Sequence, residues 1–255
     1  MELIPNTTSA DVRRRAPAVA VLPIGSFEQH GDYMPLATDT IVASAIAANI
    51  ADAYSVLLLP PVTISCSQEH SGWAGTVSIT HQTLAAIVTD VATSLAAQGI
   101  HRLVIVNGHG GNYVLSNVVQ TANAAAPASM TLFPTRTDWD LARQQAGLVT
   151  DAREDMHAGE LEVSILSAAR PAAIQEGALN ADHRAGDRPM LLVHGMAAYT
   201  TSGVIGQPSA GTAAKGKAIL DSLVSSFSAH LDALEVDKMT SLQDPTVRHG
   251  RGEPL

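Results

Sequence analysis

The sequence predicts an α/β protein, a three-layer α/β/α sandwich built around a mainly parallel central sheet. Short apolar runs alternate along the chain with longer segments whose apolar residues recur at helical spacing. Such alternation is typical of parallel strands joined by helices that cover both faces of the sheet. Hydrophobic residues make up 46% of the 255 residues but aromatic residues only 4%, so the core is expected to consist mainly of Ala, Val, Leu and Ile.

The predicted strands are short runs of apolar residues bounded by polar loops. They cover residues 16–24, 56–64, 103–106 and 130–133. Pro60 and Pro61 lie inside the second run, and a strand is expected to end or bend there because proline donates no ladder hydrogen bond. Sites in such folds form beyond the carboxyl ends of the strands, so functional residues are expected in the loops that follow them.

The predicted helices follow these strands. They cover residues 40–53, 81–99, 112–125, 160–168 and 212–234. Thr38 or Asp39 is expected to cap the first of them, and Gly216 lies inside the last. Residues 1–237 are expected to form a single domain, and the polar residues 238–255 an extended or partly disordered tail.

Charge and composition exclude several classes of protein. The net charge is −9 and the only dense basic run, residues 13–15, is interpreted as a solvated surface, so nucleic acid is not an expected partner. No run approaches the roughly 20 apolar residues of a membrane span, and the first residues lack a signal-peptide pattern. Cys66 is the only cysteine, which excludes an internal disulfide, and a cytoplasmic protein is expected.

Metal-capable side chains are concentrated in the loops after the strands. Glu28 and His30 lie two residues apart, so in an extended segment they point the same way. Asp39 lies at a predicted helix start, where its two oxygens can bridge two cations, and His109 lies among glycines that permit close approach. With the carboxylates that follow His157, these donors suit a divalent ion with mixed nitrogen and oxygen ligands, such as zinc, manganese or iron.

Several segments together resemble the signature of the creatininase family. They are LPIGSFEQHGDYMPLATD at residues 22–39, NGHGGN at 107–112 and HAGELE at 157–162, with EHSGWAGT at 69–76 and GVIGQP at 203–208. The resemblance runs from about residue 22 to residue 217, most of the chain. It implies a creatininase-like fold, metal-dependent cleavage of a carbon–nitrogen amide bond, two divalent ions per chain, and a homo-oligomer such as a hexamer.

The resemblance also implies the metal ligands. The family's ligands correspond here to Glu28, His30, Asp39 and His109, with the aspartate bridging two ions. True creatinine hydrolases carry a further Glu ligand where this chain has Gly111, which has no side chain to bind metal. By motif position Glu162 is the expected replacement. Glu160 is the alternative, and because the two lie about 200° apart around a helix, only one should face the site.

His157 corresponds to the family's catalytic histidine. The implied reaction is attack of a metal-activated water on the amide carbon, with His157 passing a proton to the leaving nitrogen and Glu162 assisting. Substrate contacts are expected from Glu69, His70, Trp73, Gly110 and Gly111.

The substrate is expected to be a small-molecule amide or a short peptide. Relatives with the NGHGGN form include deformylases of nucleotide intermediates and a peptidase that trims a small peptide precursor. A nucleotide substrate would require cations near the site, for which Arg136, Arg184 and Arg188 are the candidates.

Rival interpretations exist for the same residues. A nucleotide-binding protein could use the glycine-rich loop, but Tyr113 stands where a further glycine would be expected, and no Lys–Ser/Thr pair follows. A Cys66–His70 nucleophile lacks an evident third orienting group. A non-catalytic metal scaffold would keep the same ligands but leave no open coordination position.

Overall fold

The structure, a computed structural model, describes residues 3–235 and is built on a parallel sheet. Within that range four strands lie in the order β2-β1-β3-β4, and every pairing between them is parallel. The strands are β1 (Val19–Ile24), β2 (Leu57–Leu58), β3 (Arg102–Asn107) and β4 (Met130–Phe133). The predicted tail at 238–255 lies outside the described residues, and the single-domain interpretation stays a prediction.

Helices cover both faces of this sheet. They are α1 (Ser9–Arg15), α2 (Thr38–Ala53), α3 (His81–Ala96), α4 (Val114–Ala125), α5 (Arg136–Gln145), α6 (Glu160–Ala169), α7 (Leu191–His194) and α8 (Ala213–Ala233). Side chains of β1 alternate between the two sides: Val19 and Val21 pack with α2, α6 and α8, whereas Ala20 and Leu22 pack with α3 and α4. The predicted three-layer α/β/α architecture is therefore confirmed.

The N-cap of helix α2, the first of the predicted helices, was predicted wrongly. Helix α2 begins at Thr38 and its N-cap is Ala37, which makes no side-chain capping bond, so neither Thr38 nor Asp39 is the cap. The hydroxyl of Thr38 instead donates to the carbonyl oxygen of Pro35. Asp39 lies inside the first turn, and its carboxylate accepts a hydrogen bond from Ser26. The side chain expected to cap the helix is thus directed into the candidate site.

Three helices, α1, α5 and α7, were not predicted, and strands β1 and β2 are shorter than predicted. Helices α1 and α5 each begin with a capping box, Thr8 with Asp11 and Thr135 with Asp138, a signal present in the sequence. Strand β2 is confined to two residues, and beyond the prolines only Val62 pairs with β1, through an isolated bridge. Within the described residues, no helix has both the length and the apolar character needed to cross a membrane.

Candidate metal centre

The predicted ligands converge beyond the carboxyl ends of β1 and β3. Glu28 and His30 lie in the loop after β1, and His109 lies in the loop after β3. Asp39 occupies the first turn of α2 and Glu162 the first turn of α6. The first four are buried and Glu162 is half-buried, although all are ionisable. Such burial of charge is stable only with compensating partners.

Two glycines bring the first turn of α2 onto the ends of the strands. A Cβ atom on Gly25, after β1, would lie 2.3 Å from the backbone nitrogen of Thr40. A Cβ atom on Gly108, after β3, would lie 2.4 Å from the carbonyl oxygen of Asp39. Only glycine permits this backbone contact. The contact places the Asp39 carboxylate between the two strand ends.

Asp39 is shared by two groups of potential metal ligands. One group is Glu28, Asp39 and His109, and the other is His30, Asp39 and Glu162; within each, the ligand atoms lie within 4.8 Å of one another. Oδ1 of Asp39 lies 3.2 Å from Nε2 of His30, and Oδ2 lies 3.1 Å from Nδ1 of His109. The two oxygens therefore face different histidines, as a bridging carboxylate requires.

The histidine rings are oriented with a nitrogen lone pair toward the carboxylates. Nδ1 of His30 lies 3.0 Å from the carbonyl oxygen of Glu28, and Nε2 of His109 lies 2.9 Å from that of Cys66. A carbonyl oxygen only accepts, so each of these nitrogens carries the hydrogen. In the neutral rings the opposite nitrogens, which face Asp39, are unprotonated. Histidine ligands are commonly oriented in this way by a backbone carbonyl.

This donor set fits a cation. A nitrogen lone pair and a carboxylate oxygen repel each other unless a positive charge lies between them, and both oxygens of buried Glu28 lack a hydrogen-bond partner. Burial lowers the pKa of His30, but Asp39 and Glu162 outweigh it and hold that pKa well above its usual range. Burial likewise lowers the pKa of His109, but Glu28, Asp39 and Glu69 together outweigh burial and hold that pKa well above its usual range. Protons are thus drawn to the positions where divalent ions would lie.

The structure separates the two competing glutamates of α6. Oε1 of Glu162 lies 3.7 Å from Nε2 of His30, and Oε2 accepts from the backbone nitrogen of Ala158 at 2.6 Å. Glu160 points elsewhere: it accepts from the hydroxyl of Thr150 at 2.6 Å and pairs with Lys215. Among the described residues, one ligand group includes a residue of α6, and that residue is Glu162.

His157 adjoins both groups. Its backbone pairs with Ile205, and its Nε2 donates to the carbonyl oxygen of Gln29 at 2.7 Å. Nδ1 is then the lone-pair nitrogen, and it lies 3.8 Å from Oε1 of Glu28. Burial, and then the charge of neighbouring His30, lower the pKa of His157 to about 4. A neutral ring with a free Nδ1 can accept a proton or a metal ion.

Two residues predicted to contact substrate are neighbours, and one of them lies beside Glu28. His70 is buried in a 3₁₀ turn, and its Nε2 lies 3.3 Å from Oε1 of Glu28. The half-buried ring of Trp73 has its centroid 6.2 Å from that of His70. The tryptophan therefore neighbours the histidine that adjoins Glu28.

The other three predicted substrate contacts lie around His109. Oε1 of Glu69 lies 3.5 Å from Nε2 of His109. A Cβ atom on Gly111 would lie 2.1 Å from that same carboxylate oxygen, so the absence of a side chain at 111 makes room for Glu69. Gly110 has open space where a Cβ would project. Glu69 thus fills the space that a side chain at position 111 would need.

A cavity of about 340 Å³ opens above Gly111 and Glu69. Its outer wall, which we call the apolar mouth, consists of Tyr113, Leu191, Leu192 and Val193. Tyr113, Leu192 and Val193 are 59%, 79% and 73% exposed, unusual for such side chains. Arg188 is not among the residues that line this cavity. Its guanidinium donates to the carbonyl oxygens of Gly186 and Arg153.

Cys66 contacts the site through its backbone. Its carbonyl oxygen accepts from His109, and its backbone nitrogen donates to Asn112. Burial raises the pKa of the thiol, which disfavours the nucleophilic thiolate. His70, the partner proposed for it, is hydrogen-bonded to Gln29. The geometry therefore favours the metal interpretation over a cysteine nucleophile.

Sequence reasoning missed three residues that organise the site. Ser26 donates to Oδ2 of Asp39 at 2.7 Å, and the hydroxyl of Tyr33 donates to the carbonyl oxygen of Ala158. Gln29 bonds to both His70 and His157. The two-residue periodicity that grouped Glu28 with a histidine directs Gln29 to the other side, so the pattern gave no reason to select it.

Fold and site together define an α/β protein whose sheet edge carries paired histidine–carboxylate groups, an arrangement suited to a dinuclear metallohydrolase. The family model for creatininase, described as creatinine amidohydrolase, matches residues 5–231. This protein therefore belongs to the creatininase family, and it is a hydrolase of carbon–nitrogen bonds.

Known proteins place it within that family. The mycofactocin precursor peptide peptidase of Mycolicibacterium smegmatis is 32% identical over 241 residues, covering 91% of each chain. The creatinine amidohydrolase of Pseudomonas putida is 35% identical over 99 residues, covering 37% of this chain and 38% of its own. A solved mutant creatininase of Zn-Zn type superposes on this structure with a TM-score of 0.72 at 22% identity. The superposition covers 96% of this chain and 100% of the creatininase chain.

Proposed function

We propose that this protein hydrolyses an amide bond in a short peptide with the help of two divalent ions, for which Asp39 would supply a shared carboxylate. The observation that carries the proposal is the sharing of Asp39 between two ligand groups, with each carboxylate oxygen facing a different histidine. Glu28 and His109 would complete one ion's ligands, and His30 and Glu162 the other's. Mixed nitrogen and oxygen donors favour zinc, manganese or iron, and a solved creatininase has a Zn-Zn form.

The protein's own residues would orient the reactants. Bound divalent ions would supply a water of lowered pKa and would polarise the amide carbonyl. Ser26 holds Asp39 through Oδ2, and Ala158 holds Glu162 through its backbone N–H, so both carboxylates are fixed before substrate arrives. Such preorganisation avoids the cost of reorienting ligands during the reaction.

His157 is the proposed proton carrier. Because Nε2 donates to the carbonyl oxygen of Gln29, the atom that exchanges a proton is Nδ1. The ring is neutral at pH 7, so Nδ1 can accept a proton from the nucleophile and return it to the leaving nitrogen.

The apolar mouth of the cavity favours a peptide substrate over a nucleotide substrate. Leu192 and Val193 offer an exposed apolar wall next to Glu69, and among the described residues that line the cavity there is no Lys or Arg. The three cations suggested for a nucleotide have other partners: Arg188 donates to backbone carbonyls, Arg184 donates to Gln207 at 3.5 Å, and Arg136 pairs with Asp140 at 3.8 Å. The named peptidase relative, matched over 91% of both chains, supports the same choice.

Other expectations stay predictions. These are catalytic assistance by Glu162, substrate contacts by Glu69, His70, Trp73, Gly110 and Gly111, a homo-oligomer, and a cytoplasmic location.

The test begins with metal content and continues with activity. Purified protein is expected to hold about two zinc or manganese ions per chain, and Asp39→Asn, which removes the shared charge, is expected to lose both. The matched control is Asp90→Asn on α3, where no loss is expected. The loaded protein is then assayed with apolar short peptides, creatinine and N-formyl amines. Cleavage of the peptides is expected, and a fully loaded protein that cleaves only creatinine or formamides would contradict the choice of substrate.

A further inference from the structure

Gln29, between two predicted ligands in the sequence, has an amide group whose orientation is fixed by the backbone. Its Oε1 accepts from the N–H of Gly31 at 3.0 Å, and its Nε2 donates to the carbonyl oxygen of Gly203 at 3.1 Å. The two ends of an amide side chain are usually hard to distinguish. Here an N–H that only donates and a carbonyl that only accepts identify each end.

The second hydrogen on Nε2 of Gln29 is directed at His70. The distance from Nε2 to Nδ1 of His70 is 2.9 Å. An amide NH₂ group only donates, so Nδ1 of His70 is the acceptor and carries no hydrogen. In the neutral ring the hydrogen is therefore on Nε2, and this nitrogen lies 3.3 Å from Oε1 of Glu28.

The nitrogen that His70 turns toward Glu28 carries a hydrogen, whereas the nitrogens that His109 and His157 turn toward Glu28 do not. His109 and His157 each donate to a backbone carbonyl and turn a lone-pair nitrogen toward Oε1 of Glu28, at 3.2 Å and 3.8 Å. His70 receives a hydrogen bond on its far side and turns an N–H toward that oxygen. A nitrogen that carries a hydrogen cannot ligate a metal ion, but it can hold a ligating carboxylate in place.

We infer that Gln29 is a positioning residue that locks His70 in the neutral form with its Nε2–H facing Glu28, so that in the metal-loaded site His70 would donate to this carboxylate and hold it without being a ligand itself. In the structure Nε2 of His70 and Oε1 of Glu28 are 3.3 Å apart and no hydrogen bond is formed between them. Gln29 also sets the opposite orientation of His157 through its backbone carbonyl. Gln29 therefore fixes which ring nitrogen carries the hydrogen in both His70 and His157, whose ring centroids are 4.4 Å apart.

Gly203 supports this arrangement from the opposite side. A Cβ atom there would lie 1.7 Å from Oε1 of Gln29, and the backbone has a φ of +85°. Only glycine fits both the space and the conformation. The loop that contains Gly203 is thereby held against the Gln29 amide, and the amide is held against His70.

The inference rests on the metal site of the proposed function, but its first test needs neither metal nor activity. In metal-free protein labelled with ¹⁵N-histidine, Nδ1 of His70 is expected to have the chemical shift of an unprotonated nitrogen and Nε2 that of a protonated one. On adding zinc, resonances of Nε2 of His30 and Nδ1 of His109 are expected to move, while those of His70 keep their protonation pattern. Protonated Nδ1 of His70, or zinc bound to its Nε2, would overturn the inference. Failure to take up any zinc would overturn the proposed metal site and leave the tautomer readable.

The second test removes the donor. Gln29→Leu is expected to release His70 from a single tautomer and to weaken zinc binding by about 10–100-fold. The matched control is Gln98→Leu, because Gln98 is exposed and its amide donates to Ser94 far from the site. Unchanged tautomer and zinc affinity in Gln29→Leu would contradict the positioning role. If this variant does not fold, the wild-type spectrum alone decides.

Discussion

At the scale of single residues, His157 combines a fixed orientation with a lowered pKa. Its Nδ1 is the free nitrogen, but it also belongs to a third ligand-capable group with Glu28 and His30. A proton carrier and a metal ligand respond differently to substitution. We expect His157→Gln to lower kcat by about 10²–10⁴-fold, the usual contribution of general acid–base catalysis, while metal content is retained.

The measurement is metal content by mass spectrometry together with steady-state kinetics on the best peptide. His101→Gln is the control, since His101 is exposed at the opposite end of β3. Loss of one metal ion per chain from His157→Gln would identify the histidine as a ligand instead.

The lowered pKa of His157 has a defined consequence for stability. Burial, and then His30, lower it to about 4, whereas an unfolded histidine titrates near pH 6.5. Between these values the unfolded chain binds a proton that the native ring does not, so His157 favours folding above about pH 6.5 and this contribution falls as pH falls toward 4. An NMR titration of the metal-free protein should give His157 a midpoint near 4; a midpoint at or above about 6.5, the ordinary value for histidine, would contradict the burial argument.

At the scale of elements, the start of α6 is held by a charged side chain from the preceding loop. Asp155 accepts from the backbone nitrogens of Glu160 and Leu161 at 2.6 Å and 3.0 Å, and it pairs with Arg143 at 3.1 Å. Both charged groups are largely buried. This contact fixes the helical turn that carries Glu162.

Asp155→Ala is therefore expected to destabilise the protein by about 1–3 kcal/mol, because it removes a cap and leaves Arg143 without its carboxylate. Zinc affinity should fall as well, since Glu162 loses its fixed position. Asp151→Ala is the control: Asp151 also accepts from two backbone nitrogens but is exposed, so a change within about 0.5 kcal/mol is expected. Urea unfolding gives the free energy of unfolding of both variants. Equal losses in the two would contradict the role of Asp155 in holding the start of α6.

The packing of α8 on α6 depends on Gly216. A Cβ atom there would lie 1.9 Å from the carbonyl oxygen of Ser164. Alanine in place of glycine favours a helix by about 1 kcal/mol, but overpacking costs about 1–3 kcal/mol. We expect Gly216→Ala to be destabilising overall, whereas Ser225→Ala, on an exposed face of α8, should be neutral or stabilising. Thermal unfolding of both variants checks this, and a more stable Gly216→Ala would show that the helices can separate at no cost.

At the scale of the whole molecule, the sheet could be predicted because its strands are covered on both faces. Such strands require unbroken apolar runs, and β3 and β4 lie where the runs predicted them. The ligand set could be proposed because glutamate, aspartate and histidine occur in recognisable segments at strand ends. Glu162 lies near His30, whereas Glu160 is directed toward Thr150. This difference depends on which face of α6 is turned inward, and no local pattern in the sequence specifies that.

The proposed metal site would also link metal binding to the stability of the entire fold. Glu28 is fully buried and accepts no hydrogen bond in the structure, so its charge depends on the positive charge held beside it. Zinc at 100 times its dissociation constant should add about 2.7 kcal/mol per site and raise the Tm. Calcium, which prefers all-oxygen sites, should raise it much less. Equal shifts with both ions, or none with zinc, would contradict the assignment of mixed nitrogen and oxygen ligands.

The sharing of Asp39 also implies an order in which the proposed metal centre could be filled during synthesis. During synthesis, Glu28, Asp39 and His109 have all been made once the chain has passed β3, whereas the second group waits for Glu162. A growing chain thus has the donors for one cation before those for the other exist. A cation captured at that stage would tie β1 to β3 while the ribosome is still at work, and filling of the second position would mark a chain completed through α6.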